Sequence, residues 1–230
     1  MTIGITVSMM IFLFIVNQLS VDQFHAKSKQ IFRVMRNYDS SKNSIPWLSG
    51  PYATALLTDD PNDIQKAVRV RPTSGLLAHN NIAFVEKKLI NADADFFELF
   101  SFPLLKGDPK TALQNPASIV LTETAATKYF GDEDPMGKVL ELDKDKQLTV
   151  TGIAKDIPYN SHLDFDIIVP LSNYYQEDWF NQWINNSLST YVLLDQNADV
   201  ARLKSQFPAF MDKHMKAELD QMGMHFELSL

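Results

Sequence analysis

At 230 residues, with 45% hydrophobic and 11% aromatic content, the chain suffices for one large or two small domains with a real apolar core, which excludes a disordered polypeptide. A formal charge of −7 and the lack of any basic stripe argue against nucleic acid as a partner. With no cysteine there is no disulfide framework, thiolate zinc site or cysteine nucleophile, and the composition fits either side of a bacterial inner membrane.

Residues 3–19, IGITVSMMIFLFIVNQL, are uncharged, and the first charged side chain is Asp22. A helix over this run is about 26 Å long against a hydrocarbon thickness of about 30 Å, which is borderline for a span. No Lys or Arg precedes it and no A-x-A pattern ends it, so a retained transmembrane helix over residues 1–21 is preferred to a signal sequence or a buried core helix. Residues 30–38 alternate as a strand until Pro46 and Ser49-Gly50-Pro51 break the pattern. Tyr52 to Leu57 start a short helix that Asp59-Asp60-Pro61 ends, and Ala67 to Arg71 form a second strand. Such a β-α-β segment leaves two parallel strands with a helix on one face.

A different texture follows, with short strands at 82–87 and 118–121, turns at Gly107-Asp108-Pro109 and Asp134-Pro135, and a hairpin pairing 139–142 with 148–153. Phe96, Phe97, Leu99, Phe100, Phe102, Leu104 and Leu105 form an apolar knot, read as a small core under a loop rather than a partner contact. Thr122 is a good cap for a helix from Glu123 to Phe130, and Glu123 lies near its positive end. Strands are expected again at 165–170 and 190–194. A helix from about Asp199 follows, with Val200, Leu203, Phe207, Phe210 and Met211 at helical spacing, and Pro208 is expected to kink or divide it. Met224, Phe226, Leu228 and Leu230 then alternate with polar residues as a half-buried strand, an ending that reads as a stop inside a larger protein.

Chemistry-bearing patterns are sparse. Strand alternation would place His162, Asp164 and Asp166 on one face, the residue types of a metal site or of a base with its orienter, but a turn entering a strand with its polar face in water is the preferred reading. Asp132 to Gly137 departs from a calcium loop at Pro135 and Met136, and there is no nucleophile elbow, no H-e-x-x-H spacing, no P-loop and no G-x-G-x-x-G. No catalytic residue, metal or cofactor is therefore assigned. The segment Tyr174, Tyr175, Trp179, Phe180 and Trp183, interleaved with polar residues, suits a core edge or an interface, and it is the first choice for a partner-facing surface.

Several segments, in order, carry a family likeness. They are Leu19 to His25, Asp95 to Pro109, Ser118 to Glu123, Lys128 to Gly131, Asp134 to Lys138, Val150 to Pro158 and Ser161 to Asp166. Together they resemble the extracytoplasmic domain of MacB/FtsX-type ABC transporter permeases. The strand and helix pattern reads as an α+β, two-lobed domain, which the resemblance places on the periplasmic or extracellular side of the bacterial inner membrane. Strand order and composition divide it into a membrane-proximal porter-like lobe of discontinuous βαβ type, residues 22–73 and 163–230, and an inserted mixed α/β distal lobe at 74–162, and by the resemblance residues 1–21 would be part of a first permease helix. The implied partners are a second permease half, a cytoplasmic ABC ATPase subunit, the membrane, and a periplasmic adaptor or substrate protein. The implied role is to couple ATP-driven motion of membrane helices to export or release outside the membrane. A ligand-binding sensory ectodomain of a membrane receptor is the alternative.

Overall fold

The computed structural model describes residues 2–38 and 44–230. Helix α1 (Thr2–Leu19) is followed by β1 (Ile31–Tyr38), β2 (Ser44–Ile45), α2 (Pro51–Asp59), β3 (Ile64–His79) and β4 (Ile82–Ala92). Then come α3 (Phe96–Leu99), β5 (Leu104–Lys106), β6 (Ser118–Thr122), α4 (Glu123–Phe130), β7 (Val139–Leu142) and β8 (Lys146–Ala154). The chain closes with β9 (Ile167–Pro170), α5 (Asp178–Asn181), β10 (Ser189–Leu194), α6 (Val200–Met222) and β11 (Phe226–Ser229).

The strands join one mixed sheet in the order β11-β1-β10-β3-β4-β9-β6-β8-β5, with β2 on β1 and β7 bridging β3 and β8. Strands β1 and β3 each run antiparallel to β10, so they are parallel to each other, as expected of a β-α-β unit. They do not touch, because β10 arrives from far along the sequence and lies between them. Period-two alternation sends Val68, Val70, Tyr191 and Leu193 to one face and Ala67, Val192 and Leu194 to the other. The first face is covered by α3 and the Phe knot, and the second by α2 and α6.

Beyond β10 the sheet curls. The pairings β3–β4, β4–β9, β9–β6, β6–β8, β8–β7 and β7–β3 close a ring of strands. Leu77, Leu89, Ile119, Leu121, Leu140, Leu148, Val150 and Ile167 form one buried cluster with Ala125, Ala126, Tyr129 and Phe130 of α4. Helix α4 starts where expected: the Thr122 hydroxyl accepts from the Ala125 N–H at 3.3 Å, satisfying one of the unpaired donors of the first turn.

Pro208 neither ends nor divides α6, which runs unbroken from Val200 to Met222. Its ring is on the exposed side, as is Lys204, whose carbonyl loses its helical donor there. Water can serve that carbonyl, while Phe207, Phe210, Met211, Met215 and Leu219 bury the opposite face. Helix α1 forms over the expected run, with every described side chain from Gly4 to Leu19 exposed. Among the described residues no helix is long and apolar enough to cross a membrane, and Met1 lies outside them.

Candidate functional site: the junction below the N-terminal helix

Where α1 ends, the chain does not swing free. Asp22 takes a left-handed backbone with φ of 60°, a conformation that Asp tolerates better than most residues, and this turns the chain sharply into residues 23–30. Its N–H donates to the Asn160 carbonyl at 2.9 Å, and the Asn160 amide returns a bond to the Ser20 carbonyl at 2.9 Å. The Asp22 carboxylate accepts from the His162 backbone N–H at 3.0 Å and from its Nδ1 at 2.6 Å. A carboxylate can only accept, so Nδ1 carries the hydrogen and Nε2 accepts from the Tyr191 hydroxyl of β10, at 2.9 Å.

A second attachment lies beside the first. The Ala26 N–H donates to the Ser101 hydroxyl at 3.0 Å, and the Ser101 N–H donates to His25 Nδ1 at 3.1 Å. The His25 ring is buried in the Phe knot, 4.9 Å edge-on to Phe102 and 5.3 Å from Phe100. Burial holds the His25 imidazole below its ordinary value, against the pull of Asp22. Burial does the same to His162, again opposed by Asp22, so both rings are neutral at neutral pH. Asp22, His25, Ser28, Arg33, His162 and Tyr191 line a cavity of about 320 Å³ at this junction.

The aromatic segment is woven into a second polar centre. Asp93 receives the Arg69 N–H and Nε at 2.8 Å each on Oδ2, and Nη2 at 3.1 Å on Oδ1. The Tyr175 hydroxyl donates to Asp93 Oδ1 at 2.7 Å, while Arg69 Nη1 donates to the Gly50 carbonyl at 2.8 Å. The guanidinium lies 4.8 Å from the Phe180 ring centroid and 5.1 Å from that of Tyr175, and Arg71 lies 4.7 Å from that of Trp179. Burial and the Asp93 charge push the Tyr175 hydroxyl well above its ordinary range. Phe180 is buried, Tyr174, Tyr175 and Trp179 are half-buried against it, and Trp183 packs separately at 4.8 Å from Tyr52 and 5.0 Å from His214.

The alternation that would align His162, Asp164 and Asp166 does not occur, because β9 begins only at Ile167. His162 turns inward to Asp22 and Tyr191, while Asp164 pairs with Lys88 at 2.8 Å. Among the described residues no cluster of three or more His, Cys, Asp or Glu could hold a metal ion. Sequence reasoning passed over Asp22, His25, Ser101, Asn160 and Tyr191 as a set. One signal was present: the segments Leu19 to His25 and Ser161 to Asp166 both carried the family likeness, and they meet here.

A family model for the MacB-like periplasmic core domain matches residues 1–210. Among solved structures, the chain is similar to a domain of a putative permease protein from Porphyromonas gingivalis, with TM-score 0.71, 23% identity, and 87% of this chain and 89% of that one covered. It is also similar to the periplasmic region of MacB from Actinobacillus actinomycetemcomitans, with TM-score 0.59, 18% identity and coverage of 86% and 87%. A third is the extracellular domain of the noncanonic ABC-type transporter YknZ from Gram-positive bacteria, with TM-score 0.56, 14% identity and coverage of 86% and 100%. No curated protein sequence matches.

Proposed function

The chain belongs to the MacB-like periplasmic core domain family, and from that membership we propose that it is a non-enzymatic module of an ABC transporter permease. In this reading it relays ATP-driven motion of membrane helices to the space outside the membrane. Helix α1 is the membrane-borne element, part of a longer span, and the ATPase resides on a separate cytoplasmic subunit. Residues 22–73 with 163–230 act as the membrane-proximal lobe and 74–162 as the distal one, and a second permease half completes the assembly. Tyr174 and Trp179, supported by Tyr175 and Phe180, and Trp183, supported by Tyr52 and His214, are assigned to a periplasmic adaptor or substrate protein.

The observation that carries the relay is the double attachment below α1. Asp22 ties the helix exit to His162 and through it to Tyr191 in β10, and Ala26 ties it to Ser101 in the Phe knot. A displacement of α1 must therefore move a central strand and the core beneath it, or break these bonds. The test is a flexible Gly/Ser insertion after Val21 in the full-length permease. Loss of transport with intact assembly is expected, and normal transport would overturn the relay.

A further inference from the structure

We propose that the cavity below α1 binds a phosphate group, held by His25, Ser28 and Arg33. The unsatisfied buried group there is a donor. Because Nδ1 of His25 already accepts from Ser101, the neutral ring carries its hydrogen on Nε2, and that atom is buried without a partner while the residue is 3% exposed. Arg33, exposed at the cavity mouth, lines the same cavity and hydrogen-bonds the Tyr191 hydroxyl, and no ion pair is found for it among the described residues. Ser28, half-buried, adds a hydroxyl. The acidic group in the lining is Asp22, and both its oxygens are taken by His162. An acceptor-rich anion is what this donor set lacks, and a guanidinium beside imidazole and hydroxyl donors suits a tetrahedral oxyanion.

The surroundings agree. In a chain of net charge −7, the charged residues between Ser20 and Tyr38 are Asp22 and four cations, Lys27, Lys29, Arg33 and Arg36. Arg36 is buried against the Tyr38 and Phe226 rings, at 4.7 and 4.9 Å, which leaves Lys27, Lys29 and Arg33 as exposed cations on a side of the membrane that flanking cations normally avoid. A phospholipid headgroup and a free phosphate offer the same chemistry. The lipid source rests on reading α1 as membrane-borne, whereas the site itself does not.

The experiment uses residues 1–230 in maltoside micelles, which contain no phosphate, with histidine-labelled protein and ring-nitrogen NMR. The probes are inorganic phosphate, dihexanoylphosphatidylglycerol below its micelle concentration, and dihexanoylglycerol as the phosphate-free match. Saturable shifts of His25 and His162 with a phosphate-bearing probe, at least fivefold weaker in affinity for Arg33→Gln and for Ser28→Ala, are expected. Saturation by inorganic phosphate identifies a free-anion site, and saturation by the phospholipid alone identifies a headgroup site. Absence of saturable shifts, equal shifts from dihexanoylglycerol, or an unchanged affinity in Arg33→Gln would overturn the proposal. Because binding is read on this chain without transport, its failure leaves the relay standing, and failure of the linker test leaves the site standing.

Discussion

Asp22 and His162 are joined twice through one carboxylate, at the backbone N–H and at the ring, across 140 residues of sequence. Removing that carboxylate strands a backbone donor and a ring donor, and places a residue of lower tolerance at a φ of 60°. Asp22→Ala is expected to lose about 2 kcal/mol, with Asp22→Asn losing less because it keeps one acceptor and tolerates the left-handed backbone. Equilibrium unfolding in urea at pH 7.5 gives the comparison, and equal midpoints for the three proteins would remove the energetic basis of the link.

Acid should weaken the fold through the same region. The imidazoles of His25 and His162 sit below their ordinary value, first because of burial. On unfolding they return to about 6.5, so the unfolded chain binds protons more readily than the folded one. Their contribution is complete above about pH 6.5 and drains away as pH falls through the lowered folded values. Urea midpoints taken from pH 7.5 to 5.5 should fall, and the fall should be shallower in His162→Gln. A midpoint that climbs on acidification in this window would contradict the assignment of neutral rings.

Among the described residues the Arg69–Asp93 pair is the most enclosed ion pair, with side chains only 11% and 9% exposed. Asp93→Ala leaves a guanidinium buried among Tyr175 and Phe180 without its counter-charge, a change that costs about 3–5 kcal/mol. Tyr175→Phe removes one hydrogen bond to a charged acceptor and should cost about 1.5–3 kcal/mol. The two effects should fall short of additive in the double variant, since Tyr175 donates to the group that Asp93→Ala removes. Full additivity in a double-mutant cycle would show that the ring and the ion pair act independently.

Gly107, at φ of +95°, sits against β8, where an added Cβ would run into the Thr151 carbonyl. Both the backbone conformation and the space exclude a side chain there. Gly107→Ala is expected to destabilise by more than the usual loss of about 1 kcal/mol for a point change, whereas Gly131→Ala, with open space around it, bears the backbone strain alone. Thermal unfolding of the pair ranks them, and the reverse order would refute the steric account.

Much of the chain was legible where structure is local. The span from Thr122 to Phe130 declares itself through a cap, an acidic first turn and a closing glycine, all within a few residues. Strand β3 was read as Ala67 to Arg71 and runs from Ile64 to His79, because Pro72 and Gly75 carry the marks of a turn. In the fold Pro72 lies past the last β10 pairing at Val70 and before the β7 pairing at Leu77, so on that side its missing N–H forfeits no ladder bond. Gly75 marks a register shift against β4. The junction was not legible, since Asp22, His162 and Tyr191 are polar residues in three separate segments, and nothing local to any of them announces the others. The aromatic segment was legible as a cluster, but its cations, Arg69 and Arg71, come from β3.

The placement of β10 between β1 and β3 has a price in time. The Gln30 amide waits for the Leu194 carbonyl, 164 residues later. At roughly 5–20 residues per second, synthesis of that stretch takes about 10–30 s, during which β1 has emerged but its central partner has not. The β3–β4 and β7–β8 hairpins can form meanwhile from neighbours in sequence, whereas the strand next to α1 has only the two-residue β2 beside it until β10 and β11 arrive. During biogenesis the part of the domain made first is thus the last to be finished, and it is the part that most needs shielding from other nascent chains.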